Sequence, residues 1–456
     1  MNYVNQFRKR SINEFLLPEH FYEPLHGKIY KSINLIISKG ISATVISLKN
    51  MLGNELAFEE IGGVDYLAKL TTLALSIVNV NEYGKIVYDL ALRRYLIEIG
   101  EKIVTNAYSS TLADLAITQI ETAESQLYDL GSRGILSKGF IKLQTSIEES
   151  WTSISAAIKN KNSINGISSG LLDIDSKLGG FKNSDLIILA GRPSMGKTAL
   201  GVNLAINACK YFLTQKNTKD NVPSVGFFSL EMSSQQISTR ILSIESEINS
   251  SALFNGKIDE QDVDKLKTVQ NEIQKWNFFI DDAPAISISA IRSRARRLKR
   301  THNLAILFID YLQLIKIDSR GSQYNRVQEI SEITQSLKAL AKELNIPVIA
   351  LSQLSRAVEQ RSDKKPILSD LRESGSIEQD ADIVMLIYRD EYYLSRSEPD
   401  PDSMEYEEWF TKQNKCYNTA EIIVAKHRNG PVGTVNLHYD NRYSKFGNIV
   451  KNSQQG

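Results

Sequence analysis

The chain changes texture near residue 184. Before that point apolar residues recur at helical spacing and no strand-like alternation occurs. The spacing predicts helices over 85–108 and 111–130. In the second, Leu112, Ala116, Ile120, Ala123, Leu127 and Leu130 share one face. Gly62-Gly63 interrupts the pattern upstream. The Gly/Ser-rich stretch GSRGILSKG at 131–139 reads as a hinge. It leads into an amphipathic helix at 140–160 striped by Phe140, Leu143, Ile147, Trp151, Ile154 and Ile158. On its own terms such a stripe is expected to pack on its own domain.

After residue 184 short apolar runs take over: DLIILA, SVGFFS, NFFID, LAILFID, IPVIALS, DIVMLI and EIIVAK. Several are continuous, as strands buried on both faces must be. Helical stretches at 199–212, 259–275, 287–300 and 326–344 separate most of them. This order predicts an α/β domain with a doubly wound, mostly parallel sheet, preceded by a small all-α domain and a linker helix. The expected boundaries are 1–130 for the helical domain, 131–163 for hinge and linker, 164–450 for the α/β domain and 451–456 for a tail. The polar, acidic segment 391–419 is expected to be an irregular surface insertion.

Composition narrows this picture. The 456 residues are 42% hydrophobic and 23% charged, with a net charge of only +1. Any contact with nucleic acid must come from local basic patches, since no general positive field exists. Two distant cysteines, Cys209 and Cys416, exclude a zinc cluster and a disulfide framework. The absence of a membrane-length apolar run and of a secretory leader points to the cytosol. The run Arg292, Arg294, Arg296, Arg297, Lys299, Arg300 carries an apolar seam of Ile291, Ala295 and Leu298. It reads as an amphipathic helix with a solvated face.

The candidate chemistry begins with GRPSMGKT at 191–198, placed between a strand and a helix. It matches the phosphate-binding loop pattern, so ATP is the expected ligand. Glycines let backbone N–H groups converge on phosphate oxygens, and the helix N-terminus adds positive charge. Ser194, Gly196, Lys197, Thr198 and Ala199 are the expected contacts, with Thr198 on Mg²⁺. The strand LAILFID ends in Asp310, where a carboxylate can hold Mg²⁺ through water. The strand SVGFFS is followed by Glu231. This residue is either a base for the attacking water or a first-turn helix glutamate. Gln353, after IPVIALS, is either a phosphate sensor or a helix cap. Lys426 and Arg428 share one face of the last strand before Asn429-Gly430. They are either solvated hairpin charges or a cationic finger completing a neighbour's site. The polar loops 316–326 and 364–382 are candidates for holding phosphates of single-stranded DNA.

Taken in order, GRPSMGKTA, FFSLEMS, FIDYLQL, ALSQLSR, SDLRESGSIEQDADIVMLIYR and AKHRNGPVG resemble the DnaB replicative helicase family over 164–440. LLPEHFYEPLHGKIY and IGGVDYLAKL extend the resemblance into the helical domain. The resemblance implies a RecA-like motor in a homohexameric ring, driven 5′→3′ along single-stranded DNA by ATP and Mg²⁺. It implies Glu231 as catalytic base, Asp310 as metal support, Gln353 as coupling residue and Arg240 as a nucleotide contact. It makes Lys426 and Arg428 a finger acting on the next subunit. His427 between them departs from the glutamine common there. Arg372, Glu373 and Gly375 match the DNA-contacting loop. The linker helix is then expected to dock on a neighbouring subunit. Primase, a helicase loader and other replisome proteins are the implied partners. The segment before LLPEHFY does not show the additional helix usual in the family: either the N-terminal domain is without its first helix or the start lies upstream, and collar packing and primase binding depend on which. Two other readings fit the motor motifs: a filament-forming recombination or remodelling ATPase, and an ATP-gated scaffold that recruits primase.

Overall fold

The computed structural model describes residues 12, 15–53, 56–74, 80–109, 116–135, 142–159, 164, 166–215, 222–317 and 326–449. The first residues, Leu112, Phe140 and the tail 451–456 lie outside them, so the start of the N-terminal collar finds no description. The chain forms two compact units, Met1–Ser150 and Trp151–Gly456.

The first unit is helical. Helices Pro24–Ser38, Val45–Leu52 and Gly63–Ala74 bury Leu25, Ile29, Ile36, Leu48, Leu52 and Leu67 around Phe58. Thr44 starts the second of these helices by accepting a hydrogen bond from the Ser47 amide at 3.2 Å. Gly62 and Gly63, both at positive φ, make the turn before the third. The long helices Val80–Ser109 and Ala116–Ile135 follow. The second runs through Gly131 and Gly134, so the hinge expected from residue 131 is helical as far as Ile135. Each glycine costs a helix only about 1 kcal/mol, which did not suffice to end it. Helix Leu143–Lys159 carries the linker stripe. Its Leu143, Ile147 and Trp151 are 74%, 56% and 65% exposed.

The second unit is built on a nine-stranded sheet in the order β3-β2-β4-β5-β1-β6-β7-β8-β9. The strands are β1 Leu186–Gly191, β2 Ser224–Ser229, β3 Phe278–Asp281, β4 Leu304–Asp310, β5 Val348–Gln353, β6 Ile383–Tyr388, β7 Thr419–His427, β8 Gly433–Asp440 and β9 Lys445–Asn448. The first six pair in parallel, and β7, β8 and β9 are added antiparallel. Two cores explain the continuous apolar strands. Ile187, Leu189, Phe227, Phe308 and Leu351 face one core with helix Lys197–Thr214. Leu186, Ile188, Leu307, Ile309 and Val348 face the other with helices Ile288–His302 and Arg326–Leu344.

Sequence periodicity missed several elements, helix Ser234–Ser246 and three in the last part of the chain among them. Strand β8 alternates Val435, Leu437 and Tyr439 inward with polar residues outward, a one-face-buried pattern that a reading based on continuous apolar runs passes over. Strand β9 has only four residues. The segment 391–419 is not irregular throughout, for it contains helix Glu405–Cys416. Its anchor is Trp409, which is buried and donates through Nε1 to the Leu394 carbonyl at 2.9 Å. The basic helix behaves as its pattern indicated. Ile291 and Ala295 are buried, while Arg294 pairs with Asp281 at 2.9 Å and Arg296 with Glu343 at 2.7 Å.

Phe308 is fully buried and stacks on Phe227 with ring centroids 5.9 Å apart. Phe308→Ala is expected to cost about 3–5 kcal/mol, measured as a lowered urea midpoint for loss of the α/β unit's near-ultraviolet signal.

Candidate active site

The loop 191–198 leaves β1 and turns sharply into helix Lys197–Thr214. Ser194 and Gly196 hold positive φ, at 66° and 95°. At Gly196 a Cβ would also meet the Phe446 ring at 3.3 Å, so both backbone and packing require glycine there. Gly191 is closer still, since a Cβ would lie 2.4 Å from Ile387. Met195 pins the loop from beneath. Arg192 fastens its start through the Leu354 carbonyl and Glu359, both at 2.9 Å.

Strand register assembles the carboxylates. Gly191 stands opposite Gln353, and Ser229 opposite Asp310. The Leu230 amide donates to the Asp310 carbonyl at 2.8 Å, which brings Glu231 over the same edge. Glu231 then precedes a capping box, with Ser233 and Gln236 opening helix Ser234–Ser246. A cavity of about 500 Å³ results, lined by Ser194, Gly196, Lys197, Thr198, Ala199, Glu231, Arg240 and Gln353 among others. Thus eight of the expected nucleotide-site residues meet in one pocket. Asp310 does not line the cavity but is buried beside Lys197 and Thr198, 1% exposed, with neither carboxylate oxygen hydrogen-bonded in good geometry.

The charges in this pocket are strongly desolvated. Burial pushes the Asp310 carboxyl above its ordinary range, opposed by the Lys197 ammonium and the nearby Thr198 hydroxyl, with Glu231 adding to the rise. Burial likewise lowers Lys197, while Asp310 and Glu231 pull it back up. Arg240 is lowered by the same cause. A buried carboxylate without partners is costly and marks a place for a cation. Asp310 and the Thr198 hydroxyl supply hard oxygen donors of the kind Mg²⁺ takes.

Several lining residues were not expected from sequence. Arg192 and Pro193 lie inside the loop motif, and Tyr311 adjoins Asp310 across a cis peptide bond. Their adjacency was the available signal. Tyr439, Asn441 and Ser444 come from the β8–β9 turn, for which local sequence gave none. Asn203 ties that turn to the loop helix. It donates to the Ser444 carbonyl at 2.9 Å and accepts from the Phe446 amide at 3.1 Å.

Gln353 reaches beyond the pocket. Its amide donates to Gln313 Oε1 at 3.2 Å, and Gln313 Nε2 donates to the Gln353 carbonyl at 3.2 Å. The Gln313 carbonyl accepts from Arg326 at 2.5 Å, at the start of the helix after loop 316–326. Residues 318–325 of that loop are outside the described residues.

Lys426, His427 and Arg428 do not line this pocket. Strand β7 is antiparallel to β6, and His427 pairs with Ile383 at the start of β6. The three therefore sit at the edge where the parallel strands begin, whereas the loop sits where they end. Lys426 donates to the Glu378 and Ala381 carbonyls, the latter at 2.8 Å. Arg428 donates to the Gln379 carbonyl and pairs with Asp382 at 3.3 Å. Both cap the C-terminal end of helix Gly375–Asp380, where cations are favoured. Arg372 and Glu373 lie in the 3₁₀ segment Leu368–Ser374 just before Gly375. The side chains of Arg372 and Glu373 lie outside the described ones.

Comparison with known proteins decides what this pocket belongs to. The DnaB-like helicase C terminal domain matches residues 166–448, and the DnaB-like helicase N terminal domain matches 5–89. The chain belongs to the DnaB-like replicative helicases. The replicative DNA helicase DnaB of Rickettsia typhi is 60% identical over 442 residues, covering 96% of this chain and 88% of that one. The DnaB of Geobacillus stearothermophilus is 41% identical over 439 residues, covering 96% and 90%. A solved structure described as a DnaB-like replicative helicase and its interactions with primase has 34% identity and a TM-score of 0.69, covering 95% and 94%. As a DnaB-like chain this is an ATP-dependent helicase that acts on DNA in replication. The recombination-filament and scaffold readings are set aside. The pocket at the loop of this DnaB-like motor is its candidate ATP site.

A carboxyl whose pKa is raised in the folded state makes the fold most stable below its unfolded value, and that stability is lost as pH rises through the folded value. Asp310→Asn is therefore expected to stabilise the ligand-free protein by about 1–3 kcal/mol at neutral pH and by less at pH 4. Urea unfolding at both pH values measures it.

Proposed function

We propose that this helicase works as a ring of identical subunits, a hexamer, translocating 5′→3′ on single-stranded DNA and splitting the duplex by excluding one strand. The observation that carries the proposal is the polarity of the sheet. A cation that assists hydrolysis must come within hydrogen-bond reach of the transferring phosphoryl group. In one chain Lys426 and Arg428 stand about 20 Å from the phosphate loop, the length of a six-residue strand at ~3.3 Å per residue. Their useful site is then on a second copy. The exposed Leu143, Ile147 and Trp151 of the linker helix suit docking on that copy.

Within each site the roles follow from placement. Loop amides from Ser194 to Ala199 hold phosphate oxygens, and Lys197 reaches the outer phosphates. Thr198 and Asp310 would hold Mg²⁺, which would supply positive charge to offset that developing on the transferring phosphoryl group. Glu231 orients the attacking water and takes its proton. Arg240 contacts the nucleotide from helix Ser234–Ser246. Gln353 registers the terminal phosphate and passes its loss through Gln313 to Arg326 and loop 316–326. Arg372, Glu373 and Gly375 grip DNA. His427, between the two finger residues, completes the contact with the neighbour's nucleotide.

The domains of this reading are 1–130, 131–163 and 164–450. The helical domain takes primase, as suits a relative solved with primase interactions. A helicase loader and other replisome proteins are further partners. The cytosol or nucleoid is the place of action. No helix among the described residues is long and apolar enough to cross a membrane.

Arg428→Ala is expected to lower ATP turnover by about a thousandfold or more while nucleotide binding persists. Lys197→Ala alone is also inactive, yet it keeps its finger. Mixing the two variants before assembly should restore part of the turnover. A mixture as inactive as its components means the finger does not work between copies. Arg372→Ala should reduce the slope of log affinity against log salt by ~0.7 for single-stranded DNA. An unchanged slope in fluorescence titrations removes Arg372 from the DNA contacts.

A further inference from the structure

Lys197 lines the pocket with Glu231 and feels the buried Asp310 beside it, and yet among the described residues no ion pair within 4.0 Å is found for it. Both carboxylates are near enough to act on its charge, since Asp310 and Glu231 both favour the ammonium form. Asp310, whose carboxylate oxygens have no well-formed hydrogen bond although the Thr198 hydroxyl is near, could take that ammonium. The ammonium instead lies 4.3 Å from the centroid of the Tyr311 ring. An aromatic face at this distance attracts a desolvated cation through its quadrupole. Tyr311 lines the pocket and directly follows Asp310.

We propose that Tyr311 is a positioning residue: its ring holds the Lys197 ammonium away from Asp310 and so keeps that carboxylate open for the metal of the nucleotide complex. Without the ring, Lys197 swings onto Asp310. The pair then occupies the metal ligand and withdraws the phosphate-binding cation together. The hydroxyl takes no part, because the attraction belongs to the face of the ring.

This inference rests on the reading of Asp310 as metal support, and two measurements separate the two claims. The first needs no ligand. Asp310→Asn should raise the urea midpoint in the wild-type background and in Tyr311→Phe. In Tyr311→Leu it should lower the midpoint, because there it breaks a buried ion pair. An equal rise in all three backgrounds overturns the proposal. The second is the Mg²⁺ dependence of binding of a fluorescent ATP analogue. The Mg²⁺ concentration for half-maximal enhancement should rise about five- to tenfold in Tyr311→Leu, a shift in the range of a desolvated cation–π contact, and stay near wild type in Tyr311→Phe. A Tyr311→Leu midpoint at the wild-type value, or an equal shift in Tyr311→Phe, overturns the assignment to the ring. Wild-type binding that ignores Mg²⁺ overturns the metal reading itself, whatever the ligand-free cycle returns.

Discussion

Strands that run the same way must end at the same edge, and this constraint organises the motor unit. Six parallel strands deliver Gly191, Ser229, Asp310 and Gln353 to one rim of the sheet. The backbone hydrogen bonds that set the register also set which side chains meet. Lys197, Glu231 and Arg240 need only the short turns after those ends to reach the same cavity. The antiparallel addition of β7 sends Lys426 and Arg428 to the other rim, and β8 returns to the first with Tyr439. One topological rule thus accounts both for what converges and for what is kept apart.

A second tier of interactions holds the two rims to the rest of the unit. At the starting rim, Asp382 accepts from the Leu186 amide at 2.8 Å and from Lys338, and pairs with Arg428. Asp185 beside it is pushed up to about 6, by burial first and by Asp382 next. That cluster joins the strand leading to the phosphate loop, the helix after loop 316–326 and strand β7. At the ending rim, Gln313 and Asn203 do similar work with neutral amides. Buried polar networks of this kind fix geometry because each unpaired member would be costly.

Much of this was legible in the sequence because it is local. The phosphate loop is contiguous, and its helix follows at once. Continuous apolar runs reported strands covered on both faces, and the residue after each run was a candidate for the rim. What escaped was non-local or propensity-poor. Tyr439, Asn441 and Ser444 reach the pocket only because β8, three strands away from β1, and the turn after it fold back onto helix Lys197–Thr214, where Asn203 holds them. The helix Glu405–Cys416 hid in an acidic stretch, since one buried tryptophan is too little periodicity to read. The helix runs past Gly131 as far as Ile135 because neighbouring helix formers outweighed two glycines, and the rest of the expected hinge, 136–139, lies outside the described residues. The alternatives for Lys426 and Arg428 could not be narrowed without knowing the direction of β7.

The unpartnered Asp310 carboxylate has a consequence for how the protein endures. A fold that carries an unmet charge at its centre is under-stabilised whenever that charge stands alone, and anything that answers it shifts the balance toward the native state by mass action. Cellular nucleotide thus doubles as a preservative. With the site empty the fold is at its least stable, and thermal loss and proteolysis should begin there more readily than with nucleotide bound.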